Sequence, residues 1–450
     1  MAALLNKIFR LSENNTSVRT EVTAGLTTFL TMAYIIFVNP AILATDFLGN
    51  PTGLDHQAVL LATCVAAAAG TFIMGVYARY PIAQAPGMGN NYLFVTIVMS
   101  LAALGITNPW QTGLGIVFLS GVGFLILSLL KVRQAIIESV SPSLRNGIAA
   151  GIGLFIAFIG LRNGSVLIAA PGTFVGLNVD FMTADIAVFT FGLLVISALM
   201  ARKVRGAIVI GILLSTALAW ALGQVHWGGT FIGLPRIENA AMFQLDIRTA
   251  FSLVCLPFVI ILLFTDVFNT IGTLVGVAER GGFMRGNVLP RANQALVSDA
   301  GATIIGSLFG TSTVTSYIES AAGIEQGGRT GLTAVVVAIL FILALFFAPL
   351  AAMVGGYAPI TASALVVVGT LMCTSILMID WNDYTESLPA FLIMLGIPLT
   401  NSITDGLALG FISYPVVKLL AGRPREANLM MYLLGVVMLA YLLLIRVQIV

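Results

Sequence analysis

Asp266, Asn269, Thr270 and Thr273 fall at offsets of three, four and seven positions within Phe264-Thr-Asp-Val-Phe-Asn-Thr-Ile-Gly-Thr273. On a helix such positions share one face, so an acid, an amide and two hydroxyls line a cavity rather than a lipid surface. A second acid, Glu319, stands in Thr313-Val-Thr-Ser-Tyr-Ile-Glu-Ser320. Asn39-Pro40 closes the first apolar run of the chain, and Asn90-Asn91-Tyr92 opens the third. A buried amide offers donors and an acceptor together. Facing a carboxylate, that set suits a planar neutral ligand with N–H groups and ring nitrogens, for which Tyr92, Phe94, Phe268 and Tyr317 offer a stacking face.

Ionisable groups at mid-membrane cost on the order of 2.5–3.5 kcal/mol each and by default mark function. Asp299 fits two readings, a site acid or a packing partner for Ser298 or Thr303. Asp405 follows Asn401-Ser-Ile-Thr404 and reads as an N-terminal or re-entrant turn element. Gly272 and Gly276 form a GxxxG, expected to serve close helix packing. Glu279, Arg280 and Glu325 fall near the ends of their runs, where a solvated interface accounts for them.

The elements that carry these residues are apolar runs long enough to cross a hydrocarbon core of ~30 Å. They are read at 21–45, 57–79, 88–103, 111–131, 143–162, 183–201 and 206–224, then, after a polar connector with Trp227, Arg236 and Glu238, at 249–278, 290–309, 315–326, 331–354, 358–379, 387–417 and 428–448. Two sets of seven make an inverted repeat, because an odd number sends the second half in from the opposite side. The third segment of each half is short and follows a breaker-rich stretch, Tyr80-Pro-Ile-Ala-Gln-Ala-Pro-Gly-Met-Gly89 and Gly306-Ser-Leu-Phe-Gly-Thr-Ser-Thr-Val-Thr315. Such matched interruptions point to a transporter's midplane site, with two half-helices (segments 3 and 10) aiming their positive N-termini at the centre. The expected fold class is an all-α polytopic membrane protein of about fourteen transmembrane segments.

Composition agrees. Lys and Arg number 21 and Asp and Glu 19, only 9% of 450 residues, while 58% are hydrophobic and mean hydropathy is +1.02. That excludes a soluble enzyme and a disordered regulator, and a net charge of +2 leaves no basic surface for nucleic acid. The lipid bilayer is the solvent. Cys64, Cys255 and Cys373 lie in apolar runs, which leaves no disulfide framework or CxxC metal site, and no metal or cofactor is expected. His56 and His226 sit in connectors, so proton-linked chemistry falls to Asp and Glu. The polar N-terminus, Met1 to Arg19, shows no cleavable signal pattern. Lys131, Arg133, Arg202, Lys203, Arg205, Arg280, Arg285 and Arg291 fall on the side shared with Arg10 and Arg19, making that side cytoplasmic. Lys418, Arg423 and Arg425 break the rule if 387–417 is one span; with Pro398 and Asp405 inside it, that stretch also reads as two short or re-entrant pieces.

Several long motifs, in order, carry a resemblance. Thr23-Ala-Gly-Leu-Thr-Thr-Phe-Leu-Thr-Met-Ala-Tyr-Ile-Ile-Phe-Val-Asn-Pro40 resembles the opening signature of the azaguanine-like purine permeases, the adenine/guanine/hypoxanthine branch of the nucleobase–cation symporters. Pro86-Gly-Met-Gly89 with Asn91, Asn269-Thr-Ile-Gly-Thr-Leu-Val-Gly276, Gly310-Thr-Ser-Thr-Val-Thr-Ser-Tyr-Ile-Glu-Ser320, Gly327-Gly-Arg-Thr-Gly331 and Ile403-Thr-Asp-Gly-Leu-Ala-Leu-Gly410 are similar to its later motifs. The resemblance implies a core domain (21–131 and 248–354) carrying the site and a gate domain (132–224 and 355–450) forming a homodimer contact. Residues 1–20 would be a cytoplasmic segment and 225–247 an extracytoplasmic connector. It implies proton-coupled import of a purine nucleobase across a bacterial cytoplasmic (inner) membrane, the core sliding like an elevator.

By the same resemblance, Glu319 matches the family's tenth-helix glutamate, which holds the base. Asp266 matches its eighth-helix acid and Asn91 its third-helix asparagine. Substrate contacts are thus expected at Glu319, Asn269, Asp266, Asn91, Tyr317, Thr270 and Thr273, and the coupling proton at Asp266 first and Glu319 second. The family commonly has Asp where this chain has Asn269, and an apolar residue followed by Asn-Ala where it has Asn90-Asn91-Tyr92. The alternatives are a transporter of another planar solute or of an anion on the same fold, and a channel. A membrane enzyme would need a nucleophile, metal cluster or His-based acid–base set that the sequence does not offer.

Overall fold

A backbone in lipid must satisfy its own N–H and C=O groups, and the apolar runs accordingly fold into helices. A computed structural model of the chain describes residues 6, 8–46, 49–130, 140–170, 174–226, 230, 232–233, 241–284 and 289–446. Lys131, Arg133, Trp227, Arg236, Glu238 and Arg285 lie outside the described residues, as do the side chains of Glu279 and Arg280.

The first apolar run is two helices, α1 (Val18–Met32) and α2 (Ile35–Leu43), separated at Ala33 and Tyr34. Ser17 starts α1 by accepting from the Thr20 N–H, and Asp55 starts α3 (His56–Ile73) by accepting from the N–H groups of Gln57 and Ala58. Both satisfy N–H groups that a helix start leaves over. A π-turn, Met74–Ala78, ends α3 with Arg79 in the left-handed region. A three-residue strand, β1 (Gln84–Pro86), leads into α4 (Met88–Ala103), followed by α5 (Pro109–Leu129). The first half closes with α6 (Pro142–Asn163), a hairpin of β2 (Leu167–Ala170) and β3 (Phe174–Leu177), α7 (Ala184–Ala201) and α8 (Ala207–Ala221).

The second half holds α9 (Leu256–Gly281), α10 (Ala292–Phe309), β4 (Val314–Ser316), the six-residue α11 (Ser320–Glu325), α12 (Gly331–Ala344) and α13 (Ala348–Gly355). It ends with α14 (Ala358–Cys373), α15 (Tyr384–Thr400), α16 (Ile403–Leu420) and α17 (Leu429–Ala440). Among the described residues, eight helical runs are long and apolar enough to cross a membrane by length and composition, and four more apolar helices are shorter. The chain is a mostly helical, multi-pass membrane protein.

The stretch 387–417 is two helices, not one span. Asn401 takes a left-handed conformation (φ +52) just after Pro398 and ends α15, and Ser402 starts α16 by accepting from the Asp405 N–H. Lys418, near the end of α16, lies 2.9 Å from Glu386 and 3.8 Å from Asp383 at the start of α15. The hairpin therefore returns to the end it left. Lys418, Arg423 and Arg425 sit at the end where α15 begins, not at the opposite end where a single span would put them.

Packing sorts the helices. α12 lies on α1 and α3, and α10 on α3 and α5; α6 lies on α14 and α15, and α14 on α7. Close approach depends on glycine at α11, where a Cβ at Gly323 would overlap Thr28 Oγ1 and stand 2.6 Å from the Ala24 carbonyl of α1.

Candidate functional site

The two breaker-rich stretches meet. β1 pairs antiparallel with β4, with Gln84 opposite Ser316, Ala85 opposite Thr315 and Pro86 opposite Val314. The pairing gives buried backbone groups partners that neither stretch could supply alone. Flanking bonds extend it, from Tyr317 N–H to the Ala83 carbonyl (2.9 Å) and from Gly87 N–H to the Thr313 carbonyl (3.0 Å). The Tyr317 hydroxyl donates to the Pro86 carbonyl at 2.6 Å. α4 then starts after Gly87, and α11 starts with Glu319 at its cap position.

Beside this crossing, α9 and α10 exchange acids and hydroxyls. The Thr303 hydroxyl of α10 donates to Asp266 Oδ2 of α9 at 3.1 Å, and the Thr270 hydroxyl of α9 donates to Asp299 Oδ2 of α10 at 2.6 Å. Each helix supplies its acid and its hydroxyl four positions apart, on one face. Asp299 Oδ1 also accepts from Gln84 Nε2 at 2.8 Å and from the Ser316 hydroxyl at 3.1 Å, one donor from each strand. Asp266 Oδ1 accepts from Asn90 Nδ2 at 3.0 Å. Asn90 Nδ2 reaches Thr313 Oγ1 as well, at 2.6 Å, and Asn90 Oδ1 accepts from Asn269 Nδ2 at 3.2 Å. Asp266, Asp299 and Asn90 are fully or almost fully buried. Their partners satisfy groups that would otherwise be costly to bury.

Glu319 is half-buried and accepts from the Tyr34 hydroxyl at 2.6 Å through Oε1. Asn91 is fully buried; its Oδ1 accepts from the Ser312 hydroxyl, and its Nδ2 has no partner among the described residues. Of the residues expected to form the site, Asp266 and Asn269 are joined through Asn90, while Thr270 pairs with Asp299; both sets border the strand crossing, and Tyr317 and Glu319 follow that crossing directly. Thr273 is half-buried and makes no side-chain hydrogen bond among the described residues. Of the aromatic residues, Tyr92 packs edge-on against Phe155, centroids 5.6 Å apart, and Phe268 stacks against Phe264 at 5.9 Å with the rings 27° apart.

Some features differ from the sequence reading. Gly272 and Gly276 have open space where a Cβ would stand, so this GxxxG makes no close helix contact among the described residues. Asn90 rather than Asn91 joins the acid network. Asp299, open between two readings in the sequence, is the anchor of both strands. Asp405 lies in the first turn of α16 and accepts from the Tyr441 hydroxyl at 2.9 Å, a structural placement. Two residues have no role in the sequence reading. Tyr34 enters it only as part of the opening signature Thr23–Pro40, and Glu21 is not singled out. Glu21 is fully buried and accepts from the N–H groups of Arg329, Thr330 and Thr333 and from the Thr333 hydroxyl (2.6 Å), at the start of α12.

The sequence pattern of the Permease family matches residues 19–409. The chain belongs to the Permease family. This permease is 42% identical to the adenine permease AdeP of Escherichia coli, over 94% of its own length and 93% of the relative's. It is 43% identical to the guanine/hypoxanthine permease PbuO of Bacillus subtilis, over 94% of its own length and 96% of the relative's. Its fold is similar to the transmembrane domain of the cyanobacterial bicarbonate transporter BicA, with a TM-score of 0.66 at 14% identity, covering 87% of this chain and 97% of that one. The permease is a transporter, not an enzyme. Among its described residues no Lys or Arg forms an ion pair with Asp266, Asp299 or Glu319, and no group of three or more His, Cys, Asp or Glu could hold a metal ion. Acids, amides and hydroxyls without a fixed cation can recognise N–H donors and ring nitrogens and can take up a proton.

Proposed function

We propose that the chain imports a purine nucleobase, hypoxanthine, guanine or adenine, by proton symport. The observation that carries this reading is the Glu319 carboxylate at the strand crossing. One oxygen is held by Tyr34, and no other described side chain donates to it. Glu319 accepts base N–H groups, and Asn269 and Asn91 complete the polar edge, Asn91 with its unpartnered Nδ2. Tyr317, Thr270 and Thr273 border the base, and Asp266 carries the coupling proton, with Glu319 second. The relatives named for adenine and for guanine and hypoxanthine support the substrate class.

The cycle is an elevator in a fourteen-segment, seven-plus-seven inverted repeat, with the crossing strands and α4 and α11 at midplane. Packing supports a core of α1–α5 and α9–α13 and a gate of α6–α8 and α14–α17, because each set makes most of its contacts internally. The gate face forms a homodimer, and the N-terminus lies in the cytoplasm of a bacterium whose inner membrane holds the protein. Likeness to a bicarbonate transporter does not favour an anion here, because the site presents carboxylates with no paired cation. Uptake of radiolabelled hypoxanthine, adenine and guanine into proteoliposomes, with and without an inward proton gradient, tests the reading. Saturable, gradient-driven uptake abolished by E319Q is expected; uptake indifferent to E319Q would overturn the role of Glu319.

A further inference from the structure

Tyr34 stands in the break between α1 and α2, 1% exposed, and its hydroxyl reaches Glu319 Oε1 at 2.6 Å. A buried phenol needs a hydrogen-bond partner, and here that partner is the acid assigned to the base. We propose that Tyr34 is a positioning residue for Glu319: its hydroxyl holds Oε1 and leaves Oε2 as the oxygen that accepts base N–H groups. This rests on the assignment of Glu319 to substrate under Proposed function.

Three features make the placement rigid. α11, which Glu319 caps, is pressed against α1 at Gly323, so the two helices have no room to slide past one another. The start of α1 is tied to the start of α12 by the buried Glu21. Ala33 and Tyr34, between α1 and α2, keep right-handed helical backbone, which fixes where the Tyr34 ring leaves the run and meets Glu319. A free glutamate samples many rotamers and would lose that freedom on binding. Holding one oxygen in advance removes part of that cost, which is how pre-organisation raises affinity. Tyr34 touches no base in this assignment; it acts through Glu319.

The experiment compares wild type, Y34F, E319D and Y34F/E319D in proteoliposome uptake of hypoxanthine and of adenine, with thermal midpoints of each purified protein. Phenylalanine keeps the ring and its packing. Aspartate withdraws the carboxylate by one methylene, out of reach of the hydroxyl. Y34F is expected to raise KM about ten-fold, the scale of one hydrogen bond to a charged group, with Vmax and thermal midpoint little changed. In the E319D background the same change is expected to alter KM less than about two-fold, the signature of a shared interaction. The proposal is overturned if Y34F leaves KM unchanged, if it lowers thermal midpoint and Vmax together without moving KM, or if its full effect persists in E319D. Wild-type uptake by E319Q would instead remove the assignment of Glu319 itself, a separate result from failure of Y34F.

Discussion

Asn269 Nδ2 donates to Asn90 Oδ1 at 3.2 Å, and the direction of that bond is set by what lies behind it. Asn90 commits its own Nδ2 to Asp266 and Thr313, so it presents only a carbonyl to position 269. A donor is required there, and asparagine supplies one. Two of the three positions at which the chain departs from the pattern it resembles, Asn90 and Asn269, are therefore in contact. N269D would set a carboxylate against a carbonyl unless Asn90 turned and released Asp266. We expect N269D to lower the apparent affinity for substrate about ten-fold or more, the scale of a buried polar group left unpaired, read as KM in uptake assays. Uptake with wild-type KM would show that the pair does not set the network's direction.

Asp299 receives donors from α9, β1 and β4 at once, so it is expected to matter for assembly of the site as well as for transport. D299N would place an amide N–H₂ among three donors and should lower stability by about 1–3 kcal/mol. T270V removes one donor only and should cost less. Thermal unfolding of the purified proteins in detergent ranks them, and a D299N protein as stable as T270V contradicts the anchoring role.

Glu21 caps α12 from another helix. Its two oxygens take three backbone N–H groups and one hydroxyl, and glutamine could keep acceptors on only one side. E21Q is expected to destabilise the protein by about 1–3 kcal/mol, the cost of stranding buried donors. An unchanged denaturation midpoint for E21Q would refute this.

The contact between α11 and α1 leaves no space at Gly323. In G323A the new Cβ would meet the Ala24 carbonyl at 2.6 Å, a backbone atom that cannot rotate away. Overpacking of this kind costs about 1–3 kcal/mol, so G323A should lower the yield of folded protein and its thermal midpoint. The companion variant G272A, at a position with open space, should do neither.

At the start of the α15–α16 hairpin, hydrogen bonds from Thr385, with Arg423 beside them, hold Asp383 down at about 2. A depressed acid gives stability that is complete above its unfolded pKa of about 3.9 and is lost as pH falls through the folded value. D383N should therefore differ from wild type at pH 6, and the difference should shrink between pH 4 and pH 2. Thermal midpoints of both proteins across that range provide the check; a difference that grows as pH falls has the wrong sign.

Much of the site was legible because local periodicity carries it. The three- and four-residue spacing put Asp266, Asn269 and Thr270 on one face, and the structure joins the first two through Asn90 and pairs the third with Asp299. Glycine and proline marked the two stretches that pair as β1 and β4, since neither could continue a helix. Hydropathy alone made the chain a multi-pass membrane protein, because 58% hydrophobic residues leave water no role as its solvent.

Tertiary structure alone decided the rest. Tyr34 meets Glu319 across 285 positions, Gln84 meets Asp299 across 215, and Glu21 meets Thr333 across 312. No helical or strand period reaches so far, so only the packing of α1 against α11 and α12 could turn a tyrosine and an N-terminal acid into parts of the design. The choice of Asn90 over its neighbour Asn91 depended on the direction in which α4 leaves the strand crossing. The fold of 387–417 rested on the single backbone reversal at Asn401, which hydropathy does not register. The sequence determined which groups were too costly to bury without purpose, and the tertiary structure decided which partners removed that cost.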